Sequence, residues 1–145
     1  MVFAALSLLY GALDRKRSPI EPALRSLVSV HVSRINWCAF CVDINSANGL
    51  KRGVTETQLA ALAQFDASPC FGERDKAALA YAEAMTRPER RVDDALMARL
   101  KRHFDDDAII ELTALIAYQN LSAKFNDALG VAPQGFCNLS FDRPR

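Results

Sequence analysis

Residues 32–43 have the sequence Val-Ser-Arg-Ile-Asn-Trp-Cys-Ala-Phe-Cys-Val-Asp, which places Cys38 and Cys41 three positions apart. On a helix, side chains at i and i+3 lie on one face, so this pair can close a disulfide without unravelling the backbone. Asn36 is a favourable N-cap, which predicts that Cys38 lies in the first turn of a helix. The unpaired N–H groups and the dipole at that end favour a thiolate, the reactive form of cysteine. The segment therefore predicts redox chemistry or a metal site.

The composition is typical of a globular protein with one core. The chain has 145 residues, of which 50% are hydrophobic and 24% charged, and we expect a single domain over residues 1–145. A formal net charge of +1 provides no basic field for nucleic acid. The apolar stretch 2–13 is too short to span a membrane, and its positive charges follow it, so we expect neither a membrane segment nor a signal peptide. Four cysteines are too few for a disulfide scaffold of this length, which makes a reducing cytoplasm the expected location.

Helical periodicity runs through almost the whole chain, whereas strand patterns are nearly absent. Residues 18–21 and 55–58 have the form of capping boxes, and each predicts the beginning of a helix. Asp93 predicts another N-terminus, and the acidic run 105–107 precedes a long final helix that Gly130 ends. An irregular tail is expected from about residue 131. The sequence thus predicts an all-α bundle of about seven helices.

Three blocks of sequence, taken in this order, resemble the alkylhydroperoxidase D / carboxymuconolactone decarboxylase superfamily. The first is residues 32–43, which matches that family's pattern V-S-x-I-N-x-C-x-Y/F-C-x-D, and the others are residues 71–84 and 110–130. The resemblance covers the chain from its first helix to Gly130. It implies an all-helical fold, a homo-oligomer and, in members that have both cysteines, a thiol-dependent peroxidase or disulfide reductase.

The resemblance also implies roles for the two thiols. Cys41 is expected to attack a hydroperoxide and become a sulfenic acid, which then condenses with Cys38 to a disulfide. An external dithiol would restore both thiols, so no bound cofactor and no metal are expected. The implied partners are therefore a small hydroperoxide or disulfide substrate and a dithiol electron donor, with neither nucleic acid nor membrane involved.

Two positions depart from the pattern of the redox-active members. Those members have a His four residues after the second cysteine and a Glu twelve residues before the first, which form a proton relay, and here the positions are Asn45 and Ser26. A second His of some members is replaced by Phe40. Asn45 can hydrogen-bond a thiolate but cannot act as a general base, so we expect weakened activity at neutral pH. His31, seven residues before Cys38, is either a substitute base or, as we prefer, an ordinary residue of a packed helix.

Other interpretations of the cysteine pair stay open. Cys38 and Cys41 are alternatively inert core thiols, since free cysteine is among the most buried residue types. A zinc site lacks the second closely spaced pair that is typical of such sites and would have to recruit ligands from Cys70, Cys137, His31 and His103. In functional terms, the alternatives are a catalytically weakened redox sensor or scaffold and a decarboxylase-like enzyme.

The remaining polar residues and thiols are predicted to serve structure. Asn120 and Asn126 would satisfy buried backbone or loop groups, and Glu111 would pair with an arginine such as Arg34 or cap a loop. Cys70 and Cys137 are most simply packing residues, with a role as resolving thiols as the alternative.

Overall fold

The computed structural model describes residues 1–139, and over that range the protein consists of helices with no strand. The helices are α1 (Val2–Leu13), α2 (Pro22–Ile35), α3 (Ala39–Lys51), α4 (Glu56–Ala61), α5 (Glu73–Thr86), α6 (Asp94–Lys101) and α7 (Asp106–Ala128), with a short 3-10 helix (Leu62–Gln64) after α4. The predicted all-α fold of about seven helices is confirmed. Residues 131–139 form no helix, as predicted for the tail, and its last residues, 140–145, lie outside the described range. Within residues 1–139, the helices are all too short or too polar to cross a membrane.

Helix α2 is the central element of the bundle. It packs against α3, α5 and α7, and its residues from Leu24 to Ser33 are all buried. Leu27 and Val28 contribute to the same apolar core as Leu79 of α5 and Leu112 of α7. A helix that is covered on most sides carries mainly apolar side chains, together with small polar ones that can hydrogen-bond within the helix. This explains the run of Val, Leu and Ser residues in α2. The end of α2, which leads into the cysteine segment, is therefore packed against neighbouring helices.

Side-chain caps begin three helices where the sequence predicts them. Thr55 and Gln58 form a reciprocal capping box at α4. The carboxylates of Asp93 and Asp105 accept hydrogen bonds from backbone N–H groups in the first turns of α6 and α7, respectively. Gly130, with φ of +64°, follows the end of α7 in the left-handed conformation that a glycine adopts without strain. These local signals determine the ends of the elements.

The predicted capping box at residues 18–21 is wrong. Helix α2 begins at Pro22, and its N-cap is Glu21, whose ψ of 144° is extended. A residue before proline is pushed out of the helical region, so the chain cannot be helical at Glu21. The hydroxyl of Ser18 instead accepts the N–H of Ile20 at 3.3 Å, which closes a local turn before the helix.

Helix α1 lies at the edge of the bundle and is attached mainly by its C-terminal end. Asp14, directly after α1, contacts Arg52 at 2.6 Å and Arg25 at 3.2 Å. Arg15 donates two hydrogen bonds to the carboxylate of Glu111, at 2.7 and 2.8 Å. The predicted pairing of Glu111 with an arginine is therefore confirmed, but the partner is Arg15 and not Arg34, because this part of α7 faces α1.

Candidate functional site

Cys38 and Cys41 are joined by a disulfide where α2 gives way to α3. Their Cα atoms are 5.2 Å apart, and the two residues are only 1% and 2% exposed. The Sγ atom of Cys38 accepts the N–H of Cys41 at 3.2 Å, so that Cys38 is itself the N-cap of α3. A sulfur in this position lies at the positive end of the helix dipole, where a thiolate is favoured after reduction.

Asn36 does not cap the cysteine helix, and this part of the prediction is wrong. It is the C-cap residue of α2, and its side-chain N–H groups bond to Val32 O at 3.0 Å and Asn120 Oδ1 at 2.8 Å. Trp37 then adopts a φ of +61°, which turns the chain between the two helices. Because α2 continues to Ile35, Cys38 lies just before the first turn of α3 rather than within it.

Helix α7 provides a hydrogen-bond donor to the second sulfur. The side-chain N–H of Asn126 lies against Cys41, with an Nδ2–Sγ distance of 3.5 Å, and against Ser122, with an Nδ2–Oγ distance of 3.3 Å. Ala123 is fully buried against the same pair, and Phe40 packs beside it. The sequence indicated only a structural role for Asn126, because nothing in the spacing along α7 shows which of its residues faces the cysteines.

Asn45, the position of the missing His, belongs to a buried network of neutral side chains. Its Nδ2 atom lies 3.3 Å from Ser33 Oγ and 3.3 Å from Gln119 Oε1. Gln119 in turn donates to Ser33 Oγ at 3.0 Å, and Ser33 donates to Ser29 O at 2.6 Å. This network joins α2, α3 and α7. Its members provide hydrogen bonds but no group that titrates near neutral pH.

Ser26, the position of the missing Glu, faces the attachment of α1. Its hydroxyl accepts a hydrogen bond from Arg52 at 3.3 Å, and Arg52 also bonds to Asp14. Ser26 therefore belongs to the polar group of Arg52 and Asp14, whereas Asn45 belongs to the network of Ser33 and Gln119.

His31 lies on α2 and is buried in the bundle, with only 4% of its surface exposed. Its ring meets Phe65 edge-on, with centroids 5.2 Å apart, and no hydrogen-bond partner for Nε2 occurs in the described part of the chain. Burial lowers the pKa of His31 from 6.5 to about 4, so the ring is neutral at neutral pH. This surrounding favours the interpretation of His31 as a packing residue.

Asp43 ties residues 131–139 to the cysteine helix. Its carboxylate accepts the backbone N–H groups of Gln134 at 2.8 Å and Cys137 at 2.7 Å. Burial acts to raise the pKa of Asp43, but hydrogen bonds from this backbone segment outweigh it and lower the pKa below its usual value. Cys137 is thereby held near the start of α3, whereas Cys70 packs against the main core. Both are half-buried free thiols. Among residues 1–139, no three His, Cys, Asp or Glu side chains converge on a metal-sized site.

Comparison with known proteins places these features in a family. Residues 2–84 match the model of the carboxymuconolactone decarboxylase family. The chain is 46% identical over 138 residues to the uncharacterized protein YnjA of Escherichia coli K12, spanning 95% of this chain and 76% of YnjA. It is 32% identical over 116 residues to the uncharacterized protein YdfG of Bacillus subtilis 168, spanning 79% of each.

Solved structures share the fold. A protein from Agrobacterium tumefaciens, for which an antioxidant-defence role of the AhpD type has been suggested, superposes with a TM-score of 0.85 at 26% identity, covering 91% of this chain and 90% of its own. The debrominase Bmp8 superposes with a TM-score of 0.82 at 23% identity, covering 92% and 71%, a similarity that shows the fold alone. The chain belongs to the carboxymuconolactone decarboxylase family and has the alkylhydroperoxidase D-like fold.

Proposed function

We propose that this protein is a thiol-dependent oxidoreductase that reduces small hydroperoxides with Cys38 and Cys41. The observation that carries the proposal is the disulfide at the N-terminus of α3, in a chain of this family. Two hydrogen bonds favour thiolates once the disulfide is reduced. The backbone N–H of Cys41 donates to Cys38 Sγ, and the side-chain amide of Asn126 donates to Cys41 Sγ.

The proposed reaction has a hydroperoxide as the oxidant and an external dithiol as the reductant, and the two cysteines pass electrons between them. The thiolate of Cys41 attacks a hydroperoxide, an S–O bond forms as the O–O bond breaks, and the alkoxide leaves as the alcohol after taking a proton from solvent. The thiol of Cys38 then attacks the sulfenic acid, so that the disulfide forms and water leaves. An external dithiol reduces the disulfide by exchange and becomes a disulfide itself.

The neutral surroundings of the pair predict its pH dependence. At pH 7, only about a few per cent of an unperturbed cysteine is in the thiolate form. A helix N-terminus stabilises a nearby negative charge by typically about 0.3–1 kcal/mol, equivalent to less than one pKa unit, so it does not replace a base. Because Asn45, Ser33 and Gln119 contain no base, we expect the rate to rise between about pH 7 and 9.

Hydroperoxide consumption with a dithiol reductant tests the proposal. The wild type should exceed background, and Cys41→Ser should abolish the excess, because the attacking sulfur is gone. Cys38→Ser should react once and accumulate a trappable sulfenic acid. Cys70→Ser, which removes a thiol from another part of the core, is the matched control and should keep the wild-type rate. Equal, background-level rates for the wild type and Cys41→Ser would refute the proposal.

Restoring the relay provides an independent test. Asn45→His alone should change the neutral-pH rate little, whereas Asn45→His with Ser26→Glu should raise it, because the Glu orients and charges the His. The pH–rate profiles of both single variants and the double variant measure this. A full gain from Asn45→His alone would show that the relay argument is wrong.

A redox sensor is the second candidate, and the near-complete burial of both sulfurs favours it, since burial restricts access of a substrate. Intact mass under reducing and oxidising conditions separates the two candidates. A change of two hydrogens without hydroperoxide turnover would support the sensor.

A further inference from the structure

Residues 131–139, which we call the strap, follow α7 without forming a helix. Residues 131–136 of the strap are all exposed, Val131 and Phe136 among them. Leu139, near the end of the strap, packs against the main core. Between α7 and Leu139 the strap buries little apolar surface, so its attachment there depends mainly on polar contacts.

The carboxylate of Asp43 on α3 provides polar contacts to the middle of the strap. It accepts the backbone N–H of Gln134 at 2.8 Å through Oδ2 and that of Cys137 at 2.7 Å through Oδ1. Between these two donors the backbone turns at Gly135, whose φ of +73° lies in the left-handed region. Hydrogen bonds to an ionised acceptor are roughly twice as strong as neutral ones. Asp43 therefore acts as the latch of the strap.

The strap passes close to the disulfide, because its first attachment and its latch both lie near Cys41. At its start, the N–H of Val131 bonds to Asn126 O at 3.0 Å, and the side chain of Asn126 contacts Cys41. The latch, Asp43, lies two residues after Cys41 on α3. Successive side chains of an α-helix are turned by about 100°, which places Phe40 between Cys41 and Asp43 on one side of α3.

The strap crosses α3 on the side of Phe40, because α2 occupies the other side. There α3 packs against α2, and Asn45 bonds to Ser33. Phe40 packs against the buried cluster that contains both cysteines. Neither α2 nor α7 can leave the disulfide without breaking the apolar core, whereas the strap opens by losing its bonds to Asp43.

We propose that the strap is a gate for the disulfide. Latched on Asp43 it keeps reactants away from Cys38 and Cys41, and released it admits them. This deepens the proposed function and rests on it, because each turnover then requires an open strap. The closed strap accounts for sulfur-bearing residues that are only 1% and 2% exposed, although their disulfide has to meet both a hydroperoxide and a dithiol.

The rate at which dithiothreitol reduces the disulfide of the oxidised protein tests the gate without any hydroperoxide. Asp43→Asn weakens the latch and should make the reduction about tenfold faster. Asp94→Asn is the same chemical change at an exposed position in the first turn of α6, and it should leave the rate unchanged. Alkylation of the new thiols, followed by intact mass, measures the rate.

Gly135→Ala loosens the strap without removing a charge. A Cβ at this position has no atom within 4 Å, but alanine is strained at a φ of +73°, so reduction should be about fivefold faster. Gly53→Ala is the matched control, since Gly53 lies at a φ of +90° in the turn after α3 and is equally free of contacts. It should keep the wild-type rate. Agreement between Asp43→Asn and Gly135→Ala separates opening of the strap from the loss of a negative charge near the attacking thiolate.

Amide hydrogen exchange locates the opening in each variant. The N–H groups of Gln134 and Cys137 should exchange faster in Asp43→Asn and Gly135→Ala, while α2 keeps the exchange of the wild type. Wild-type reduction rates in both variants, or faster exchange of the strap without faster reduction, would overturn the gate. Faster reduction in both variants of a protein that consumes no hydroperoxide would refute the proposed function and leave the gate standing.

Discussion

Asn126 is the side chain of α7 that donates a hydrogen bond to the disulfide. Its Nδ2 atom lies 3.5 Å from Cys41 Sγ, and its other contact is the hydroxyl of Ser122 on the preceding turn. An amide can donate to a thiolate but cannot take its proton, so its effect is on the pKa of the thiol and not on proton transfer. The same limit holds for Asn45.

We therefore predict that Asn126→Leu raises the pKa of the Cys41 thiol in the reduced protein by about one unit, because a hydrogen bond to the charged form is lost. The pH dependence of Cys41 alkylation measures this pKa. Ser122→Ala is the control, since it removes the neighbouring hydroxyl and leaves the donor to Cys41 in place. Equal pKa values in Asn126→Leu and the wild type would show that the contact does not act on the thiolate.

His31 predicts a second effect at this scale, on stability against acid. Burial lowers its pKa to about 4 in the folded protein, whereas the unfolded chain has the ordinary value of about 6.5. Between these pH values the unfolded state binds a proton that the folded state does not, which lowers the free energy of unfolding. The stability of the folded protein is therefore unaffected by His31 above about pH 6.5 and decreases as the pH falls toward 4.

Between pH 7 and 4.5, the titration of His31 should lower the free energy of unfolding by about 2 kcal/mol. His31→Phe, which has no titrating group at this position, should lack this contribution. Denaturant unfolding of both proteins at the two pH values gives the difference. His103→Phe, at a half-buried position after α6, is the control. The same acid sensitivity in His31→Phe as in the wild type would contradict the burial argument.

Among the elements, α1 depends on polar contacts more than on core packing. Leu13 is its one buried residue, and Phe3 and Leu8 are each 76% exposed. Its main attachment is Asp14, which joins the buried Arg25 to Arg52. Without this carboxylate, the buried Arg25 would lose its ion-pair partner.

Asp14→Asn should therefore lower the free energy of unfolding by about 1–3 kcal/mol and increase amide hydrogen exchange in α1 more than in α2. Asp66→Asn makes the same chemical change in a pair with Arg99 in which Asp66 is 70% exposed, and should cost less than about 0.5 kcal/mol. Equal losses in the two variants would indicate that Asp14 is no more than a surface charge.

For the whole molecule, exposed apolar side chains concentrate on two helices that contact each other. Phe3, Leu8 and Leu9 of α1 are exposed, as are Ile110 and Leu121 of α7. Apolar surface of this kind is typical of contacts between protein chains.

We predict that the protein is a homo-oligomer, so that light scattering gives a multiple of 16.0 kDa. Phe3→Glu with Leu8→Glu should shift it toward the monomer, because burying two carboxylates is unfavourable. Val92→Glu, between α5 and α6, is the control and should leave the mass unchanged. A stable monomer of the wild type at micromolar concentration would contradict the prediction.

Local chemistry explains what could be predicted from the sequence. The helical period, the caps at Thr55, Asp93 and Asp105, the stop at Gly130 and the family pattern around Cys38 each depend on residues within a few positions of one another. Even the errors at Ser18 and Asn36 are errors of boundary, where a neighbouring proline or the length of α2 decided between two possible caps.

The sequence by itself thus determined the all-α class, the family and the pairing-competent spacing of Cys38 and Cys41. Only the tertiary structure decided which residues surround that pair: Asn126 beside Cys41, Gln119 beside Asn45, and Arg15 in place of Arg34 beside Glu111. These partners are 74 to 96 positions apart in the chain. Short-range spacing is read from the period of a helix, but contacts over such distances depend on how the helices pack, which no local pattern records.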